Sequence, residues 1–152
     1  MPAEIGSPAP DFSLRNVDGE MVSLDDLKGN KSLVVFIPFP FTGTCQAELC
    51  DIRDGLAGIE DLDARVVAIT TDTMFANRKW SEDNSFGFPV LSDFWPHGEV
   101  TKAYGTFDDR VGAANRSTYV LDAEGVVRAI VATETRREAR EFDEYVAALQ
   151  RI

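Results

Sequence analysis

The chain has 152 residues, of which 44% are hydrophobic and 27% charged, and a formal net charge of −11. This length and mix suit a single soluble globular domain spanning residues 1–152. The acidic balance repels phosphate backbones and anionic lipid heads, so neither nucleic acid nor membrane is an expected partner. The longest apolar run, Leu33 to Pro40, is too short to cross a bilayer. Met1 to Phe12 has no basic residue followed by an apolar stretch, so no secretory leader is expected and the cytoplasm is the expected location.

Asp11 to Arg15 and Glu20 to Leu24 read as a short hairpin around the turn-like stretch from Asn16, and Ser23 with Asp25 and Asp26 suits the start of a helical turn, Leu24 to Leu27. Leu33 to Ile37 is apolar throughout, the pattern of a strand buried on both faces, and Pro38 and Pro40 end it. Leu49, Ile52, Leu56 and Ile59 recur at helical spacing and predict a helix from Gly43 to Ile59. A second buried strand is expected over Arg65 to Thr70, a helix from Thr73 to Ser81 or beyond, a short strand at Pro89 to Leu91 and a helix at Glu99 to Tyr104. Ser117 to Leu121 and Val126 to Val131 read as strands paired through the turn Asp122 to Gly125. Glu134 to Leu149 reads as an amphipathic closing helix. Strands alternating with helices, then a hairpin and a helix, predict an α/β fold with a central mixed sheet flanked by helices on both faces. A thioredoxin-like sheet has this order.

There are two cysteines, Cys45 and Cys50. A permanent structural disulfide is not expected in the reducing cytosol. Two cysteines and the lone His97 do not make a tetrahedral zinc set, so no metal is expected. Reactive cysteine chemistry and inert buried cysteine remain. Cys45 falls in the first turn of the helix after a buried strand. Backbone N–H groups are unpaired there and the helix dipole is positive, both of which favour a thiolate. Thr42, three residues earlier, offers a hydroxyl or a helix cap, and Pro38 would shield the sulfur and constrain the loop. Arg116, entering a strand, offers a cation or an ordinary surface ion pair. Glu48 lies one turn beyond Cys45, where it could orient Arg116 or simply face solvent. His97, in a Pro-His-Gly turn, reads as structural. Phe39, Phe41, Phe94 and Trp95 could form an apolar collar, a subunit contact or plain core.

Pro38, Thr42 and Cys45 match the P-x-x-x-T-x-x-C motif of the peroxiredoxins, and Arg116 before Ser-Thr-Tyr-Val-Leu-Asp matches that family's active-site arginine. Gly6 to Phe12 resembles the family's N-terminal hairpin. Leu91 to Gly98 with Ala103-Tyr104-Gly105 resembles the alkyl hydroperoxide reductase E class. The resemblance implies a thioredoxin fold with an N-terminal hairpin, peroxide as substrate, a sulfenic acid on Cys45 and no metal or organic cofactor. It implies a thiol reductant (thioredoxin, a glutaredoxin-like protein or a low-molecular-weight thiol) and a homodimer. That class commonly has one cysteine; Cys50 has the spacing that many peroxiredoxin Q (bacterioferritin comigratory protein) members use for a resolving cysteine. Five residues of helix rise about 7.5 Å and turn about 140°. The two Cα atoms would then stand roughly 8 to 9 Å apart, beyond the usual disulfide limit of about 7 Å, so a Cys45–Cys50 bond requires unwinding. The alternatives are a one-cysteine peroxidase resolved by an external thiol, a thiol–disulfide oxidoreductase, which the missing Cys-x-x-Cys disfavours, and a redox sensor.

Overall fold

The computed structural model describes residues 2–152. The chain opens with a hairpin, β1 (Ser13–Arg15) and β2 (Met21–Ser23), whose turn is held by Asn16: its side-chain oxygen accepts from the N–H groups of Asp18 and Glu20. A capping box between Ser23 and Asp26 starts α1 (Leu24–Leu27). Then follow β3 (Lys31–Phe36), α2 (Gly43–Asp54), α3 (Leu56–Glu60), β4 (Ala64–Thr70), α4 (Met74–Asn84), β5 (Val90–Ser92) and α5 (Glu99–Ala103). A small pair, β6 (Phe107–Asp108) and β7 (Ala113–Ala114), precedes β8 (Ser117–Leu121), β9 (Val127–Ala132) and α6 (Phe142–Gln150).

Seven strands form one mixed sheet in the order β2-β1-β5-β4-β3-β8-β9. β3, β4 and β5 run parallel at its centre, and β8 lies antiparallel to β3 on one side. Side chains alternate across the sheet, so the hydrophobic interior is two layers. Leu33, Val35 and Ile37 point into one layer, with Leu49, Ile52, Trp80 and Leu149 of α2, α4 and α6. Val34 and Phe36 point into the other, with Leu24, Leu27, Val100 and Tyr104 of α1, α5 and the turn after it.

Two expected elements are shorter than their periodicity suggests. The helix from Gly43 does not run to Ile59; it ends at Asp54, and α3 restarts after Gly55. The physical reason is close approach: a Cβ on Gly55 would lie 2.3 Å from Cζ of Phe142. The ring occupies the space a side chain would need. The closing helix begins at Phe142, not Glu134. In the irregular stretch before it, the Arg136 carbonyl accepts from Arg116 and the Arg140 N–H donates to Glu48. Backbone groups engaged by side chains in this way are withdrawn from a helical ladder.

Candidate active site

β3 ends at Phe36, and buried Ile37 and Pro38 lead into the loop before α2. Phe41 sits in that loop at φ 67°, a left-handed conformation that costs a bulky residue about 1–2 kcal/mol. The turn brings Thr42 to the N-cap and Cys45 into the first turn of α2, where Cys45 is fully buried. Thr42 occupies the cap position, but its hydroxyl does not cap the helix. It donates to the Phe39 carbonyl at 2.7 Å, which leaves its oxygen lone pairs free to accept.

Glu48 lies one turn further along the face that carries Cys45. It is buried, and both carboxylate oxygens are filled: Oε1 accepts from Arg116 Nη1 and from Arg140 Nη2 at 2.9 Å, and Oε2 from the N–H and Nε of Arg140 at 2.7 and 2.9 Å. Burial alone would push the Glu48 carboxyl up, but the Arg140 hydrogen bonds and the charges of both arginines outweigh it and hold it below its ordinary value. Arg116 is itself buried. Its Nε and Nη2 donate to the Arg136 carbonyl at 3.0 and 2.6 Å. A guanidinium has five N–H donors, and these contacts use three, so two stay available to a ligand.

Arg140, the third member of the cluster, is marked by no local sequence pattern. Its side chain is fully buried, and its Nη1 donates to Thr118 Oγ1 at 3.0 Å, with Thr118 in turn paired to the Tyr145 hydroxyl at 2.9 Å. Burial disfavours its charge, but Glu48, Tyr145 and the Cys45 sulfur restore it, and its pKa is raised overall. In the sequence it belongs to the run Arg136-Arg137-Glu138-Ala139-Arg140, which has the appearance of a solvated helix face. Arg116, Glu48 and Arg140 together carry one uncompensated positive charge in a buried cluster. A thiolate on Cys45 would neutralise it.

Cys50 lies on the same unbroken helix as Cys45, half-buried, and both are free thiols. Its Sγ is 3.9 Å from Asn84 Oδ1 at the end of α4. Arg53 Nη1 also reaches the Asn84 carbonyl, at 2.7 Å. His97 does not join the cluster: its ring nitrogens meet the carbonyls of Phe94 and Gly112 at 3.2 and 2.7 Å, tying two loops together. Phe39, Phe41, Phe94 and Trp95 are exposed at 40, 52, 46 and 82%, which excludes plain core packing for them. A cavity of about 460 Å³ lies elsewhere, at the opposite ends of the parallel strands, against Ala64, Arg65 and Pro89.

Residues 5–130 match the AhpC/TSA family. The chain belongs to that family, the peroxiredoxins. It is 44% identical over 125 residues to alkyl hydroperoxide reductase E of Mycobacterium tuberculosis (strain ATCC 25618 / H37Rv), covering 82% of each chain. It is 33% identical over 136 residues to a putative peroxiredoxin bcp of Coxiella burnetii, covering 86% of this chain and 89% of that one. Among solved structures, peroxidoxin BcpB from Mycobacterium tuberculosis superposes with a TM-score of 0.87 at 26% identity, over 99% of this peroxiredoxin and 98% of that chain. Enterococcus faecalis AhpC, at 24% identity, shares the fold with a TM-score of 0.89 over 99% of this chain and 92% of its own. The peroxiredoxin is accordingly a thiol-dependent peroxidase on a thioredoxin-like fold.

Proposed function

We propose that this peroxiredoxin, acting as one domain, reduces hydrogen peroxide and organic hydroperoxides through Cys45. The observation that carries the assignment of residues is the buried Arg116–Glu48–Arg140 cluster beside the first turn of α2, whose excess positive charge suits a thiolate. The thiolate attacks the distal oxygen, the O–O bond breaks, and the departing alkoxide takes up a proton to leave as alcohol or water. Cys45 becomes a sulfenic acid. The Thr42 oxygen accepts from the peroxide hydroxyl, and the two unused Arg116 N–H groups donate to the oxygens that gain charge. Pro38 closes the loop side of the site.

Cys50 then condenses with the sulfenic acid, forming the disulfide and releasing water. A thiol reductant returns both sulfurs to thiols. The intact helix between them means that the first turns of α2 must open for this step. Among the described residues, no helix is long and apolar enough to cross a membrane. We place the enzyme in the cytoplasm, where reducing systems are at hand, and as a homodimer formed through the exposed patch of Met21, Phe75, Phe94 and Trp95, which line one shallow cavity.

Intact mass after one equivalent of hydrogen peroxide, with a sulfenic-acid trap in parallel, tests the whole cycle. Loss of two hydrogens, abolished in Cys50→Ser, is the expected result. A trapped adduct on Cys45 without a disulfide would instead assign resolution to an external thiol. No oxidation within seconds would remove Cys45 from the peroxidatic role.

A further inference from the structure

Behind the cluster lies a second cavity, of about 400 Å³, whose lining includes Arg110, Arg116, Arg136 and Arg137. In a chain of net charge −11, four arginines around one hollow are a local reversal of field. Glu134 shares the lining and Asp108 sits beside it, too few carboxylates to balance the arginines. Asp108 accepts from Arg110 and from Arg136 Nη1, at 2.6 Å for the latter. The Arg110 and Arg136 hydrogen bonds hold its carboxyl well below the usual range. This pairing orients two of the guanidinium groups without consuming them. Arg137 is exposed and, among the described residues, makes no hydrogen bond or ion pair.

We propose that this cavity is a carboxylate-binding site, in which Arg110 and Arg137 hold an acidic substrate of the peroxidase beside Arg116. The inference rests on the peroxidase reading for its consequence, though not for the binding itself. Guanidinium forks match a carboxylate with two parallel hydrogen bonds. The volume lies within the range of small-molecule pockets. Arg116 belongs to both places: it lines the cavity and donates to Glu48 in the catalytic cluster. A carboxylate held here would leave the rest of its molecule within a side chain's length of that cluster. Both a small acidic thiol reductant and a carboxylate-bearing hydroperoxide carry this chemistry.

The test uses the full chain with Arg110→Ala/Arg137→Ala, and Arg137→Glu as a second variant, since Arg137 holds nothing in the fold together. Calorimetric titration of the reduced wild type with succinate should show one site, weakened at least about tenfold in either variant and by added salt. Two kinetic comparisons then separate the sources. If the reductant is the occupant, mercaptosuccinate should regenerate the oxidised wild type faster than 2-mercaptoethanol at equal thiolate concentration, and the variants should lose that advantage. If the peroxide is the occupant, linoleate hydroperoxide should outpace tert-butyl hydroperoxide in the wild type only. Succinate binding that is absent, or equal in wild type and variants, overturns the site. Failure of hydrogen peroxide to oxidise Cys45 would overturn the peroxidase reading and leave the succinate result standing.

Discussion

At the scale of single residues, the decisive group is Glu48. Its carboxylate is the counter-ion of two buried guanidinium groups, so its removal leaves those charges facing each other without compensation. Breaking such a buried pair costs about 3–5 kcal/mol, whereas exposed pairs of the Arg78–Glu82 kind contribute little. For Glu48→Gln we expect a loss of about 3 kcal/mol in urea unfolding and a fall of about a hundredfold in the rate of Cys45 oxidation, as Arg116 loses the contact that aims it. Unchanged kinetics in a destabilised variant would reduce Glu48 to a structural role. The pH dependence follows with a definite sign. A carboxyl held below its usual value of 4.5 adds stability above that pH, and the contribution disappears as pH falls through the lowered folded value. The wild type should therefore lose stability below about pH 4.5 more steeply than Glu48→Gln. The places of Thr42 and Cys45 at the start of α2 and of Arg116 at the entrance of β8 were legible in the sequence, because a loop motif and a strand entrance mark them locally. Arg140 was not, because its partner lies 92 positions away and only the folded chain shows that the arginine run turns inward.

At the scale of elements, resolution by Cys50 would give α2 two duties that conflict. Reduced, it holds Cys45 in its first turn and Cys50 against Asn84 on α4. Oxidised, it cannot stay helical between the two sulfurs if they bond. At its start the N-cap hydroxyl points back to Phe39 and leaves the helix uncapped, while Gln46 accepts from Trp80 Nε1 at 3.3 Å, a contact that opening of the first turn would break. One equivalent of peroxide should lower the far-ultraviolet helix signal and change Trp80 emission together, and Cys50→Ser should abolish both changes. A disulfide formed with no loss of helix would contradict the unwinding step. The other end of α2 is fixed more firmly. Gly55 separates it from α3 because the Phe142 ring leaves no room for a methyl group, so Gly55→Ala should destabilise the protein by about 1–3 kcal/mol in thermal or urea unfolding. Hydrophobic spacing could not show this break, since Leu56 and Ile59 keep the helical period across it while a contact far along the chain interrupts the backbone.

At the scale of the whole molecule, the order of strands and helices was readable because β3 and β4 have continuous apolar centres, and α2 and α6 each bury apolar side chains at helical spacing. The sheet order, with β1 and β2 beyond β5 and with β8 beside β3, needed the structure: it depends on pairings between distant segments that leave no local mark. The outer surface poses the remaining problem. Phe75 and Trp95 are exposed at 72 and 82%, the two most exposed aromatic side chains among the described residues, beside Phe94 and Met21. Apolar patches rimmed by polar residues mark contacts, and large aromatic side chains dominate the energetics of such contacts. A second copy of the same chain offers a matching surface through a two-fold axis, with each patch meeting itself. If that is the occupant, Trp95→Glu would place a carboxylate against its own symmetry mate as well as remove the ring. Sedimentation should then shift from dimer to monomer, with dimer affinity weakened by about a hundredfold or more. Cys45 should still be oxidised by hydrogen peroxide in the monomer, because every member of the Arg116–Glu48–Arg140 cluster comes from one chain. A wild type that sediments as a monomer at micromolar concentration would refute the dimer, and the aromatic patch would then have to serve a different partner.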